Sequence, residues 1–388
     1  MSRRIVIIGH TGKGDYGHSL DQAFVGVEGA EIVALADPDA EGRRRFADLT
    51  GVPAAYADYR EMLAAEKPDI AVIATHEMSG HLEMVLASAA AGAHVYVEKP
   101  LATTLGEVDR MLEACDRAGV LLVMAHPWRG RPQIQQHAIP MIRGGEIGEP
   151  RWVRLYGHPS GRPTAHSGVV SGDAWMIDLY PHLFDFACQL CGTPLWCQSL
   201  ITTDGRPATP DDLVEGPFGM GPTAGNGLAA QFQFPDCTVE FVSYWASRTG
   251  WQHGESLPYG AEVHGTAGTL CLPGPTIEGP DLYLHPFTHS RGPTWGNPHP
   301  ALAGAPQWQV LAHEEVPSRQ KWVNAHHRMA RSLLDLLDGR QPEYELCIGK
   351  AARLLVEMAT AVRLAHIRGA RVAFPLTEAG NPFENWLQ

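Results

Sequence analysis

The sequence predicts an α/β protein in which a doubly wound parallel sheet is followed by an α+β domain with an open, mostly antiparallel sheet. Three observations predict this class. Short apolar runs alternate with helix-like stretches over the first part of the chain, the pattern changes near Pro150, and the length of 388 residues allows two domains. We therefore expect one domain over residues 1–150 and a second over residues 151–388.

The strands of the first domain are predicted from β-branched runs without polar alternation, which is typical of strands covered by helices on both faces. Stretches with helical composition and length separate them, as at residues 81–91 and 105–118. Strands and helices that alternate in this way build a parallel sheet. The predicted strands are residues 5–8, 32–36, 70–74, 95–97 and 120–124.

The pattern after residue 150 is that of an antiparallel sheet accompanied by helices. Residues 228–234 and 238–244 are joined through Pro235 and Asp236, a turn signal typical of a hairpin. Residues 273–306 are rich in Pro, Gly and His, and we expect a long ordered loop there. The other predicted elements are a strand at 152–156, a helix at 176–191, a strand pair at 265–272, and two closing helices at 322–337 and 348–367 that could pack back on the first domain.

The charge balance limits the classes of partner. The chain has 30 Lys and Arg against 43 Asp and Glu, a net charge of −13, which repels phosphate backbones and anionic lipid. It also contains no apolar run near the ~18 residues of a membrane span. We expect a small-molecule partner, and neither nucleic acid nor a membrane.

The cysteines indicate a reducing compartment. There are seven, an odd number, and no secretory signal is recognisable, so we expect free thiols and a cytoplasmic protein. Cys188 and Cys191 form a single CxxC without a second pair, which favours buried helix cysteines over structural zinc. We predict no metal site.

A glycine-rich segment follows the first predicted strand immediately. In one register the fingerprint residues are Gly9, Thr11 and Gly14, with Thr11 in the place of the middle glycine; in the other they are Gly12, Gly14 and Gly17. A tight turn at this position lets backbone N–H groups approach a pyrophosphate at a helix N-terminus. The segment therefore predicts a dinucleotide site, with its register open.

Asp37 at the end of the second strand supports this prediction. It lies 23 residues after Gly14 and 20 after Gly17, where a carboxylate can accept hydrogen bonds from the adenosine ribose. The same charge would repel a 2′-phosphate, so NAD is favoured over NADP. The run from Arg43 to Arg45 could pair with that phosphate, but a solvated helix face is its plainer interpretation.

Glu98, Lys99 and Pro100 follow the strand at residues 95–97, at the sheet edge where doubly wound folds bind ligands. A lysine there can be partly desolvated and hydrogen-bond a reacting oxygen, and the proline fixes the turn and allows a cis peptide bond. Because the motif is also common in surface turns, its interpretation as a catalytic site needs the support of a second catalytic group.

Asp178 and His182 supply such a group, because positions i and i+4 of a helix share one face, with Asp185 three residues further on. A carboxylate beside an imidazole can orient it and raise its basicity, as a general base for a hydroxyl proton requires. A capping Asp with a buried structural His is the alternative.

Taken together, these motifs resemble the Gfo/Idh/MocA family of nicotinamide-dependent oxidoreductases. The resemblance implies a Rossmann domain, an open-faced sheet domain that often forms dimers or tetramers, and redox chemistry on sugars, cyclitols or glycosides. It extends over nearly the whole chain: the glycine turn, Asp37, residues 69–75 and 91–95, Glu98 to Pro100, residues 129–132 and 145–148, the Asp178 and His182 segment, and the C-terminal helices.

The resemblance also implies roles for single residues. Lys99 matches the family's catalytic lysine, Asp178 and His182 match its catalytic pair, and Glu98 and Thr75 match positions that line the nicotinamide. His76 follows Thr75 directly and is expected to touch the cofactor. The chain departs from the family in a glycine turn that is one residue longer and in Tyr180 and Pro181, which replace the glycine before the histidine.

We interpret the sequence as that of an NAD-dependent oxidoreductase acting on a secondary hydroxyl of a sugar, glycoside or cyclitol, in a homo-oligomer. Two alternatives remain: a redox-neutral enzyme that cleaves glycosides with a retained NAD, and a non-catalytic NAD-binding sensor. Aromatic and histidine side chains that could contact a polyol are Trp128, His158, His166, Trp245 and Trp251. For each of them, core packing or loop structure is the favoured interpretation.

Overall fold

A parallel sheet forms the centre of the N-terminal part of the protein in the computed structural model. The structure describes residues 2–157, 172–244, 259–273, 282–286, 309–312 and 314–386. The strands of this first sheet are β1 Arg3–Ile8, β2 Ala30–Ala36, β3 Ala54–Tyr56, β4 Ile70–Ile73, β5 His94–Val97, β6 Leu122–Met124 and, from the far end of the chain, β18 Cys347–Ile348. Their order is β18-β6-β5-β4-β1-β2-β3, and β18 alone pairs antiparallel.

Both faces of the first sheet are covered, as its continuous apolar strands require. Val6 and Ile8 point to one face and join the core formed with the helices that connect the strands, while Ile5 and Ile7 point to the other. Each of these four side chains is at most 2% exposed. The connecting helices are α1 Ala40–Thr50, α2 Tyr59–Glu66, α3 His81–Ala90, α4 Leu105–Ala118 and α5 Ile139–Arg143.

A second, mostly antiparallel sheet begins at Pro150. Its order is β17-β16-β15-β14-β7-β13-β12-β8-β19, with β9 on β8, and only β7 and β13 run parallel. Two further short strands, β10 Leu213–Glu215 and β11 Pro222–Ala224, pair with each other. The strands of the large sheet are β7 Pro150–Gly157, β8 Trp196–Thr203, β9 Arg206–Pro207, β12 Gly227–Gln233, β13 Thr238–Tyr244, β14 Tyr259–Gly265, β15 Gly268–Pro273, β16 Leu282–Pro286, β17 Gln309–Ala312 and β19 Val372–Ala373.

Two predictions for this sheet need correction. The pair expected at residues 265–272 is a longer hairpin of β14 and β15. Its turn falls at Thr266 and Ala267, and β14 begins at Tyr259, six residues before the predicted start. Residues 273–306 are not one loop, because β16 lies within them and pairs with β15 and β17. The remainder of that stretch lies outside the described residues.

Helices α6 Gly172–Cys191 and α8 Lys350–Arg368 pack against the second sheet. Phe184 of α6 contacts Phe232 and Phe241 edge-on, with ring centroids 5.0 and 5.3 Å apart. Such aromatic pairs add roughly 0.5–1.5 kcal/mol each beyond burial. The packing fixes α6, which carries Asp178 and His182.

Helix α7 Ser318–Leu337 packs on the first sheet instead. Met329 and Leu333 are fully buried in the same core as Ile5 and Ile7. The strand β18 then extends the parallel sheet beside β6. No helix within the described ranges is long and apolar enough to span a bilayer.

Candidate active site

The candidate site lies where the carboxyl ends of β1, β4 and β5 meet helix α6. Gly9 and Glu98 directly follow β1 and β5, Thr75 is the second residue after β4, and Asp178 of α6 reaches Lys99 across the gap between the two sheets. Ligands of doubly wound folds bind at this edge. The structure thus brings the predicted nucleotide residues and the predicted catalytic residues to one crevice.

The glycine turn is a loop with several left-handed residues. Gly12 and Gly14 have φ values of +78° and +84°, and a side chain at Gly14 would lie 2.3 Å from the backbone nitrogen of Glu77. The expected helix after the turn is wrong: residues Gly17–Gln22 form a 3₁₀ segment interrupted by left-handed His18 and Ser19. These two φ values break the helical hydrogen-bond pattern, so an anion here would meet loop N–H groups.

Asp37 is fully buried, and its carboxylate accepts several hydrogen bonds from the chain itself. The hydroxyl of Thr11 donates at 2.6 Å, the phenol of Tyr16 at 3.1 Å and the backbone N–H of Asp39 at 2.9 Å. Because a carboxylate has about four acceptor positions, a ribose diol at Asp37 has to displace a donor. Arg43 donates to the backbone carbonyl of Asp37 at 2.6 Å, so it lies near the place of a 2′-phosphate.

A cavity of about 210 Å³ lies beside Asp37, between the ends of β1 and β2. Ile8, Ala36, Pro38 and Met84 give it apolar walls, which suit a flat nucleotide base. Ring atoms of Tyr16 lie so close to Gly9 that a Cβ there would come within 2.1 Å of them. Residues that line the cavity include Ile8, Gly9, Ala36, Pro38 and Tyr59. The residues present therefore fit the adenosine half of NAD.

Lys99 and Asp178 form the central contact of the site. The Lys99 ammonium donates to Asp178 Oδ1 at 2.6 Å and to the Asp178 backbone carbonyl at 3.1 Å. The Lys99 side chain is 2% exposed and that of Asp178 is 22% exposed. The peptide bond between Lys99 and Pro100 is cis. This contact holds the ammonium group at the crevice.

His76 lies on the other side of the Asp178 carboxylate, with Nε2 3.3 Å from Oδ1. Its ring stacks on that of Phe218, with centroids 4.4 Å apart. Burial alone would raise the pKa of Asp178, but the Lys99 ammonium and the His76 ring outweigh burial and hold this pKa well below its ordinary range. Asp178 is therefore an anion throughout the neutral range.

Glu98 is fully buried beside the glycine turn. Its Oε1 lies 2.5 Å from Nδ1 of His18, while its Oε2 has no hydrogen-bond partner among the described residues. Burial would raise the pKa of Glu98, but His18 and Lys99 lower it overall. An ionised, half-satisfied carboxylate at this place fits donor groups of a nicotinamide riboside.

His182 lies one turn after Asp178 on α6, but the two side chains share no described hydrogen bond. The His182 ring packs against His126, Trp128 and Trp322, at centroid distances of 4.9, 6.1 and 5.9 Å. Burial, reinforced by the charges of His126 and Lys99, places the pKa of His182 well below 6.5. The expected rise in basicity is therefore wrong: Asp178 faces Lys99 and His76 instead, and burial dominates.

A buried ion pair lies behind His182. Arg129 donates two hydrogen bonds to Asp185, at 2.8 and 2.6 Å, and a third to the carbonyl of Leu346 at 2.7 Å. His126 Nε2 lies 2.6 Å from the carbonyl of Pro181. These contacts tie α6 to the loop after β6 and fix the position of His182.

The other predicted residues fall into two groups. Trp128 is 1% exposed and packs behind His182, so core packing, the favoured interpretation of this residue, applies and not contact with a polyol. Cys188 lies on α6 and donates to the sulfur of Met358 at 3.4 Å, as a packed helix cysteine does. The remaining four, His158, His166, Trp245 and Trp251, lie outside the described residues.

Sequence reasoning missed three side chains at the site. His18 stands at the end of the glycine segment and contacts Glu98, Phe218 covers His76, and Trp322 lies 5.2 Å from His18 and 5.9 Å from His182 by ring centroids. His18 directly follows Gly17, the last residue of the glycine segment, and this position could have identified it as a site residue. Phe218 and Trp322 come from distant segments and carry no local motif.

A Rossmann-type sheet with a glycine turn after β1, a buried carboxylate after β2 and a lysine at its carboxyl edge is typical of NAD-binding oxidoreductases. Family comparison agrees: residues 3–126 match the model of the oxidoreductase family with an NAD-binding Rossmann fold, and residues 136–271 match that of the GFO/IDH/MocA C-terminal domain. The chain belongs to the Gfo/Idh/MocA family, and its cofactor is NAD. The predicted family, fold class, enzyme class and cofactor are confirmed.

Curated relatives include dehydrogenases of sugars and cyclitols. A D-apiose dehydrogenase of Paraburkholderia graminis is 30% identical over 308 residues, which is 78% of this chain and 75% of that protein. A myo-inositol 2-dehydrogenase of Thermotoga maritima is 30% identical over 186 residues, covering 48% of this chain and 54% of the relative.

Solved structures share the fold over nearly the whole chain. An NAD-binding oxidoreductase from Klebsiella pneumoniae superposes with a TM-score of 0.73 at 20% identity, covering 97% of this chain and 100% of that one. A levoglucosan dehydrogenase in complex with NADH and levoglucosan superposes with a TM-score of 0.70 at 18% identity, covering 97% of this chain and 100% of that one. These likenesses show the two-sheet architecture.

Proposed function

We propose that the protein transfers hydride between the nicotinamide of NAD and a secondary hydroxyl or ketone carbon of a sugar, glycoside or cyclitol. The observation that carries this proposal is the buried contact of Lys99 with Asp178 at the sheet edge, one helical turn from His182. The substrate class is supported by the relatives named for D-apiose and myo-inositol.

The cofactor is assigned to residues on both sides of the glycine turn. Bound NAD supplies the carbon that accepts or returns the hydride. The adenosine and pyrophosphate are assigned to Gly9, Thr11, Gly12, Gly14 and Asp37. The nicotinamide half is assigned to Thr75, His76, Glu98 and Lys99, and Glu98 has one oxygen without a hydrogen-bond partner among the described residues.

Removal of the substrate's hydroxyl proton is assigned to His182. A neutral imidazole can take a hydroxyl proton, and burial keeps His182 neutral at physiological pH. Lys99 hydrogen-bonds the same substrate oxygen and stabilises negative charge on it, while Asp178 holds the ammonium and can accept a hydrogen bond from a neighbouring hydroxyl. The three side chains thus act on one carbinol unit.

The organisation of the whole molecule is part of the proposal. We divide it into an NAD-binding domain over residues 1–150 and a substrate and oligomerisation domain over residues 151–388, with α7 packed on the first sheet. We place it in the cytoplasm as a dimer or tetramer. The seven cysteines are free, which supports the compartment.

The experiment is an NADH-absorbance assay over a panel of sugars, glycosides and cyclitols, with Lys99→Ala and His182→Ala as matched variants. We expect turnover with added NAD that each variant lowers by roughly 10²- to 10⁴-fold. Turnover without added NAD and with no net NADH would replace the proposal by the redox-neutral alternative. NAD binding without turnover on any panel member would favour the sensor.

A further inference from the structure

Three side chains with metal-binding atoms converge beside the glycine turn. His18, His76 and Glu98 each offer one ligand atom, and these atoms all lie within 4.8 Å of one another. Nδ1 of His18 lies 2.5 Å from Oε1 of Glu98, and the two imidazole rings are 5.2 Å apart at 72°. The three residues come from three separate segments of the chain, so no local sequence motif predicts the cluster.

Two atoms of the cluster are unsatisfied. Oε2 of Glu98, whose side chain is fully buried, has no hydrogen-bond partner in the described part of the chain. Nε2 of His76 makes no well-directed hydrogen bond there, although Oδ1 of Asp178 lies 3.3 Å away. Buried polar atoms without partners are rare because burial removes their hydrogen bonds to water without replacing them. Both atoms carry lone pairs that a cation can accept.

We propose that His18, His76 and Glu98 bind one divalent cation of the zinc type. Two imidazoles and one carboxylate form the donor set of open zinc sites, which keep a fourth position for another ligand. Oδ1 of Asp178, which accepts a hydrogen bond from Lys99 at 2.6 Å, lies 3.3 Å from Nε2 of His76 and can supply the fourth ligand. Ligands of a tetrahedral zinc ion are about 3.3 Å apart, given bonds of about 2.0–2.1 Å.

The surroundings favour a fixed, selective site. Phe218 stacks on the His76 ring and Trp322 packs 5.2 Å from the His18 ring, so both imidazole planes are held. His18 and Glu98 need to separate by only about 1 Å to reach tetrahedral spacing. Mg²⁺ prefers oxygen ligands and should not compete.

The site overlaps the place assigned to the nicotinamide, and this part of the inference rests on the proposed function. His76 and Glu98 cannot ligate a cation and line the nicotinamide at once. Zinc therefore lowers the affinity for NAD by competition. The direct binding of the cation does not depend on the catalytic assignment.

The first test is titration of the purified chain, without NAD, by zinc chloride in a calorimeter and by Co²⁺ in a spectrophotometer. We expect one ion per chain, a visible Co²⁺ spectrum of four- or five-coordinate nitrogen and oxygen ligation, and no binding of Mg²⁺. His76→Phe preserves the stacked ring without its nitrogens and should weaken zinc binding by roughly 10²-fold or more. Cys191→Ser and the exposed His137→Gln are controls that should bind zinc normally.

Three results would overturn the site: no saturable zinc binding, unchanged affinity in His76→Phe and Glu98→Gln, or a sulfur-to-cobalt charge-transfer band that Cys191→Ser removes. The second test measures the NAD dissociation constant with and without saturating zinc. An increase of at least tenfold in the unmodified chain, absent in His76→Phe, is expected, and an unchanged constant would refute the competition. If NAD fails to bind at all, the proposed function fails while the zinc titration still decides the site.

Discussion

The carboxylate of Asp178 lies 2.6 Å from the ammonium of Lys99, although the two residues belong to different segments 79 positions apart. Lys99 is almost fully buried, and this carboxylate places the opposite charge beside its ammonium group. The pair therefore sets the charge at the reacting oxygen. Neutralising the carboxylate should disturb Lys99 more than His182.

Asp178→Asn should lower kcat by roughly 10²-fold, because the amide no longer holds a buried ammonium at the substrate oxygen. The affinity for NAD should change little, since Asp178 is not assigned to the cofactor. Single-turnover NADH formation and NAD titration measure the two quantities. Asp212→Asn, at the exposed pair with Arg206, is the control. Unchanged turnover in Asp178→Asn would remove the pair from the mechanism.

The pH dependence of oxidation should report the buried His182. Its pKa lies well below 6.5 because burial disfavours the imidazolium, so the base is already neutral at pH 6.5. The rate should therefore be flat across neutral pH and fall only as the pH drops through this lowered pKa. Single-turnover rates between pH 4.5 and 8 test this, and the acid limb should disappear in His182→Ala. A limb centred above pH 6.5 in the unmodified chain contradicts the assignment.

Cofactor choice should depend on Asp37. Asp37→Ser removes the charge that repels a 2′-phosphate and leaves Arg43 beside the same place. We expect the preference for NAD over NADP to shrink by roughly tenfold or more, an effect of about 1.4 kcal/mol. Calorimetric titration with both dinucleotides measures it, and Asp48→Ser on α1 is a control. Equal affinities in the unmodified chain would show that Asp37 does not discriminate.

Arg129 should be essential for stability. Arg129→Met leaves the buried Asp185 carboxylate without its partner, which costs about 3–5 kcal/mol in the free energy of unfolding. Burial would raise the pKa of Asp185, but Arg129 keeps it below its ordinary value, so this stabilisation is present at neutral pH and is lost as the pH falls through that lowered pKa. In Arg129→Met burial dominates and raises the pKa of Asp185, so the deficit in stability should be largest at pH 7 and shrink as falling pH protonates the carboxyl group.

Urea unfolding at pH 7 and at pH 5 measures this difference. Arg206→Met provides the comparison, because its ion pair with Asp212 is solvent-exposed and should contribute little. Equal stability of the two variants at pH 7 would show that the Arg129 contact does not support the fold.

Much of the fold was readable from local patterns. Strands such as β1 and β5, with continuous apolar residues, and the capped helix α4 appear close to where their sequences predict them. The three-residue β3 and two-residue β18 were missed because they are too short to show a period. Their pairing comes from the neighbouring strands.

The candidate site was predictable in its residues but less so in its contacts. Lys99, Asp178 and His182 belong to recognisable sequence motifs. The contact of Asp178 with Lys99 instead of His182 depends on how α6 packs against the edge of the sheet, which no motif predicts. The segment after the glycine turn differs from the expected helix for a related reason. Its left-handed His18 and Ser19 are fixed by contacts such as that of His18 with Glu98. Tertiary contacts of this kind leave no trace in a local sequence window.

The return of α7 to the first sheet has a consequence for protein synthesis. The face that carries Ile5 and Ile7 is covered by Met329 and Leu333, which leave the ribosome about 200 residues after β6, or roughly 10–40 s later at ~5–20 residues per second. During that interval the nascent sheet exposes apolar surface that a chaperone can bind. The N-terminal nucleotide-binding part therefore completes its folding only after α7 has been synthesised.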